Sequence, residues 1–139
     1  MSVEANKATL RRVAEEVFNK GDLSVIAELI APNYVYHSPF GEFKGPDGFT
    51  QFVAMTRNAF PDVDMKIDKM VAEGDKLAAL LTFRGTFKGN FGDAEPTGKQ
   101  INMTMAYFYR FEGGKEVEAT PFSDMLTFYQ QLGIPIPQQ

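Results

Sequence analysis

The sequence predicts an α+β fold, a cone-shaped barrel in which N-terminal helices pack on a strongly curved, mostly antiparallel sheet. Three observations predict the α+β order, and the cone shape is added by the geometry of a twisted sheet. Apolar residues recur at helical spacing from the N-terminus to Phe60. The period then switches to alternation between Val63 and Phe111, and a short helical segment follows Asp124. Helices followed by a run of strands is the α+β order. A long twisted sheet that curls over its helices leaves one end open as a conical hollow. The 139 residues suit one domain, 1–139, with a core of its own.

Each element has its own signal. From about Glu4 to Asn19, Leu10, Val13, Ala14, Val17 and Phe18 step by three and one, the mark of an amphipathic helix. Gly21 and Asp22 supply a left-handed stop and the next N-cap. A second helix carries Leu23, Ile26, Leu29 and Ile30 and ends at Pro32. Tyr34-Val35-Tyr36-His37 reads as a short strand, and Ser38 to Gly45 as a loop. Pro46-Asp47 opens a third helix that runs to Phe60. Three alternating stripes follow: Val63 to Ile67, Leu77 to Phe87 and Ile101 to Phe111. Glu73-Gly74-Asp75 and Glu112-Gly113-Gly114 are hairpin turns between strands. Pro121 places the end of the last strand at an edge or bulge.

Composition narrows the function. A net charge of −4 without a basic stripe argues against nucleic acid and anionic membrane surfaces. The absence of cysteine removes disulfides, thiolate nucleophiles and Cys-bound metals. His37 is the only histidine, so no histidine metal motif exists. No apolar run reaches the roughly 20 residues of a membrane span and no signal core is present, so a cytoplasmic protein is expected. No Gly-x-Ser-x-Gly elbow marks a serine hydrolase. The 13 Phe and 7 Met fill irregular apolar space, as a core or as a pocket lining.

A resemblance to a known family rests on short stretches spread along the chain. They are Asn6-Lys7 with the Arg11-Arg12 helix, Asn19-Lys20-Gly21-Asp22, Ala31-Pro32-Asn33-Tyr34-Val35 and His37. Gly45-Pro46-Asp47-Gly48-Phe49, Ala59-Phe60-Pro61-Asp62, Ala72-Glu73-Gly74-Asp75-Lys76, Arg84-Gly85-Thr86 and Pro96-Thr97-Gly98-Lys99 continue the series. Tyr109-Arg110-Phe111-Glu112 and Gln130-Gln131-Leu132-Gly133 complete it. In order and spacing they resemble the SnoaL-like polyketide cyclases of the nuclear transport factor 2-like (cystatin-like) superfamily. The resemblance implies a cyclase without cofactor or metal that closes the last ring of an anthracycline-type precursor by intramolecular aldol condensation. It also implies a small apolar substrate, and homodimers or homotetramers formed through the outer face of the sheet. The chain departs from the family pattern at Glu118-Ala119-Thr120, where the family places His-Trp after the glutamate.

The candidate residues follow. The resemblance assigns the general acid/base to Asp124, and apolar neighbours Phe122, Met125, Leu126 and Phe128 would hold its proton more tightly. The same residue is also a good N-cap for the helix after it, which would lower its pKa. His37 is kept as a substrate-binding candidate because it matches a histidine frequent in the family, although strand parity sets it with Val35 and away from Tyr36. Tyr36, Phe52, Phe83, Met103, Met105, Tyr107 and Phe122 complete the expected substrate pocket. Ser38 stands where the related ketosteroid isomerases carry an aspartate before a proline, which disfavours that mechanism. The alternative to a cyclase is a non-catalytic small-molecule-binding protein of the same fold.

Overall fold

The computed structural model describes residues 2–136. Helix α1, Val3–Arg12, starts where the Ser2 Oγ accepts the Ala5 N–H at 3.0 Å. It continues as a π-helical segment, Val13–Asn19, so the expected single helix changes its hydrogen-bond step halfway. The wider turn ends on two clamps. Arg57 Nη1 donates to the carbonyls of Phe18 and Asn19. The Asn19 amide exchanges bonds of 2.7 and 2.9 Å with the Met65 backbone. Gly21 has φ +72, which favours glycine, and its missing Cβ leaves room for the Arg57 guanidinium, whose Nε would lie 2.6 Å from one.

The second helical stretch is short: a 3-10 turn, Leu23–Val25, capped by Asp22, and α2, Ile26–Leu29. Strand β1, Ile30–Ser38, begins earlier than Pro32 led the sequence to suggest. The reason is a bulge. Ile30 pairs with Glu116 and Val35 with Glu118, so a five-residue step on β1 opposes a two-residue step on its neighbour. Pro32, lacking an N–H, is accommodated inside that irregularity. Residues 41–44, expected as loop, form strand β2, Gly41–Lys44, against β1. Helix α3, Gly45–Ala59, follows with Pro46 in its first turn.

The remaining strands are β3 (Asp64–Glu73), β4 (Lys76–Thr86), β5 (Gln100–Glu112) and β6 (Lys115–Phe122), and helix α4 is Met125–Leu132. The sheet order is β2-β1-β6-β5-β4-β3, antiparallel except for the parallel pair β1–β6. Beyond Ala119, β6 has no β1 partner, and Pro121 lies in that free stretch, as its missing N–H demands. Bulges at Ile67/Lys69 and Arg110/Phe111 tighten the coil of the sheet. Its concave face, carrying Leu77, Leu81, Ile101 and Phe111, packs on Leu10, Val17 and Val53 from the helices. Gly89 is pressed on the end of α3, where an added Cβ would meet the Asn58 carbonyl oxygen at 2.0 Å.

Candidate functional site

The concave face and helix α3 do not fill the space between them, and an apolar cavity remains. Phe52 and Thr56 from α3, Phe83 from β4, and Met103, Met105 and Tyr107 from β5 supply most of its wall. Tyr36 reaches it from β1. The alternation of β5 explains why Met103, Met105 and Tyr107 arrive together: residues two apart share a face. The free volume is about 70 Å³, against roughly 300 Å³ or more for a typical ligand pocket. Three rings fill the outer end. Phe40 from the β1–β2 turn, Phe91 from the β4–β5 connection and Phe128 from α4 pack with centroids 5.0, 5.7 and 6.0 Å apart.

Polar atoms in this cavity are few, and one pair stands out chemically. The Tyr36 and Tyr107 phenol oxygens are 2.8 Å apart, hydrogen-bonded to each other. Tyr107 is stacked on Tyr109, with centroids 5.4 Å apart, which fixes its ring. The Thr56 hydroxyl already donates to the Phe52 carbonyl at 3.0 Å. Burial pushes Tyr107 up to about 12 and Tyr36 well above its ordinary value, so both phenols stay protonated at neutral pH. Two neutral phenols joined by one bond leave one O–H free to donate. That free donor, in apolar surroundings, suits a carbonyl oxygen and any negative charge that develops on it.

Six of the expected pocket residues, Tyr36, Phe52, Phe83, Met103, Met105 and Tyr107, line the cavity. Three expectations need correction. Asp124 is not stranded among apolar side chains. It is exposed and caps α4, its carboxylate accepting the Thr127 N–H at 3.1 Å and hydroxyl at 2.6 Å. Those bonds hold its pKa below the ordinary aspartate value. Its chain neighbours Ser123 and Met125 both belong to the cavity wall, whereas Asp124 itself does not line the cavity. His37 lies on the opposite face of β1 from Tyr36 and is tied to Glu118 at 2.8 Å and Glu42 at 3.0 Å. These carboxylates, Glu118 first, raise its pKa. Phe122 points to the outer surface at 64% exposure, beside Phe108 and Leu80.

Sequence reasoning missed Glu116. It is 1% exposed, with Oε2 unpartnered, and burial alone raises its pKa to about 8. The bulge in β6 hides it. Glu116 pairs with inward-facing Phe111 and Glu118 with outward-facing Arg110, so two glutamates two residues apart face opposite ways. Among the described residues, no group of three His, Cys, Asp or Glu side chains is arranged to hold a metal ion. None of the described helices is long and apolar enough to cross a membrane.

A coiled sheet wrapped over helices, with an apolar hollow and a sparse polar lining, defines a small cone-fold protein of the nuclear transport factor 2-like type. Within that class, the chain belongs to the SnoaL-like polyketide cyclase family, whose profile matches residues 8–132. It is similar to IdmH of Streptomyces antibioticus, described as a candidate polyketide cyclase, at 32% identity. That match covers 93% of this chain and 99% of IdmH, with a TM-score of 0.76. A candidate polyketide cyclase from Acidithiobacillus ferrooxidans is 29% identical over 96% of this chain and 98% of its own, with a TM-score of 0.79. A SnoaL-like protein of Jannaschia sp. CCS1 shares the fold at 21% identity, with a TM-score of 0.85 and 98% of each chain covered. No curated protein matches the chain.

Proposed function

We propose that the protein binds an apolar, polycyclic molecule bearing a carbonyl and performs cofactor-independent acid/base chemistry of the intramolecular aldol type on it. The observation that carries this reading is the Tyr36–Tyr107 pair, a fixed neutral donor in a wall of Phe and Met. Family membership and the candidate cyclases among its structural relatives support the reaction class. In the step envisaged, the Asp124 carboxylate takes a proton from the carbon next to the carbonyl. The phenol pair holds the enolate oxygen, and the enolate carbon attacks a second carbonyl of the same molecule. The alkoxide so formed recovers the proton. A low pKa keeps Asp124 in the ionised form a base requires, at the expense of driving force, so a carbon acid flanked by two carbonyls suits it best.

The test is hydrogen–deuterium exchange at the α-carbon of 2-tetralone in heavy water, followed by proton NMR. Wild-type protein should accelerate exchange over buffer, Asp124→Asn should abolish the acceleration without weakening probe binding, and Tyr107→Phe should reduce it. Exchange no faster than in buffer, with the probe bound, selects the second reading: a binding protein without chemistry. The capping bonds of Asp124 and the alanine at 119 favour that alternative.

We further propose self-association through the outer face of the sheet, as a homodimer or a pair of homodimers. Val71, Leu80, Phe108 and Phe122 are exposed there although they are large and apolar. Light scattering should give a multiple of the chain mass, and Phe108→Glu with Phe122→Glu should give the single-chain mass.

A further inference from the structure

Behind the apolar cavity lies a second, smaller chamber of about 20 Å³, room for a single water molecule. Tyr36 and Tyr107 line both spaces, so the phenol pair stands in the partition between them. The groups facing the inner chamber divide sharply. β6 contributes Glu116 and the small Ala119, β1 contributes Tyr34 and Tyr36, and β5 contributes Tyr107 and Tyr109. From β3, β4 and the helices come only apolar side chains, such as Met65, Leu81 and Phe49. No cation faces Glu116, and its Oε2 has no protein partner. A buried carboxyl oxygen left unpaired is costly, so a group of this kind calls for a role.

We propose that Glu116 is a positioning residue: as a neutral acid, acting across the inner chamber, it turns the spare O–H of the Tyr36–Tyr107 pair outward, toward a ligand carbonyl in the outer cavity. The pair uses one of its two O–H groups internally, and either oxygen can be the donor of that bond. The remaining O–H points inward or outward. A carboxylic acid, through the one water the chamber can hold, presents a donor to the pair and leaves its spare O–H for the outer cavity. A carboxylate only accepts, and draws that O–H inward. Burial without a counter-cation keeps Glu116 neutral up to about pH 8, which supports the outward arrangement under ordinary conditions. The side chain touches no substrate in this scheme and acts only through the phenols.

This inference rests on the pocket reading above, and one experiment separates the two. The probes are 9-fluorenone, which has a carbonyl acceptor, and fluorene, which has nearly the same shape without one. Affinities of both are measured by fluorescence titration from pH 6.5 to 9.5. Wild-type protein should prefer fluorenone at the low end and lose that preference about tenfold as Glu116 ionises, while fluorene binding stays level. Glu116→Gln retains a donor and cannot ionise, so it should keep the preference at every pH. Tyr36→Phe with Tyr107→Phe removes both donors and should lack it throughout. Binding of both probes with a preference that ignores pH in the wild type overturns the role of Glu116 alone. Failure of either probe to bind overturns the pocket reading, and this inference with it. Should Glu116→Gln fold poorly, the wild-type pH profile still decides.

Discussion

Glu116→Gln offers a direct reading of what it costs to hold an acid inside the cone. In the unfolded chain a glutamate ionises near 4.5, whereas burial raises Glu116 to about 8. The folded protein therefore binds more protons than the unfolded chain between those values, and stability must fall as pH rises through that window. Each pH unit is worth about 1.4 kcal/mol. Between pH 4.5 and 7, the wild type should thus lose about 3 kcal/mol on account of this residue. Glutamine fills the same space with no such dependence. Urea unfolding of both proteins at intervals from pH 5 to 8 isolates the effect as a difference. His37 also loses stabilisation as pH rises through its elevated folded pKa, but it does so equally in both proteins and cancels. The stability of Glu116→Gln should draw level with the wild type near pH 5 and exceed it increasingly above. A difference that does not change with pH refutes the burial of a protonated acid at this position.

Three other outcomes follow from the structure. Asp124→Ala removes the N-cap of α4 and should lower the melting temperature by a few degrees at pH 7. Because its folded pKa is depressed, that deficit should vanish as the pH falls through the Asp124 pKa, which thermal melts at low pH will show. Gly89→Ala forces a methyl against the Asn58 carbonyl and should destabilise by about 2 kcal/mol or more, measured by chemical unfolding. Phe91→Ala with Phe128→Ala should widen the outer end and speed fluorenone association in stopped flow, and an unchanged rate would mean that these rings do not obstruct access.

Much of the architecture was legible in the chain because it rests on period. The stripe from Ile101 to Phe111 forms one side of β5, and the glycine turns at Gly74 and Gly113 close hairpins as read. The same stripe placed Met103, Met105 and Tyr107 on the cavity wall. What escaped reading is what breaks period. β2 is four residues long, too short to alternate visibly. The π segment keeps an apolar face that a regular helix would also show. The bulges that let Pro32 into β1 and turn Glu116 inward are events of pairing, set by the neighbouring strand and invisible in one strand's sequence. Asp124 was read two ways for a related reason. Its local sequence specifies a cap, and local sequence says nothing about how much solvent reaches that cap.

Phe40, Phe91 and Phe128 come from three separate stretches of chain, so no single hinge moves all three rings that line this part of the hollow. On the proposed binding reading, a guest instead trades places with rings. A flat, unsaturated skeleton restores the edge-to-face contacts that it displaces, while a saturated one of equal bulk does not. On that reading admission is selective before any hydrogen bond forms, and residence times should be longer for the planar guest.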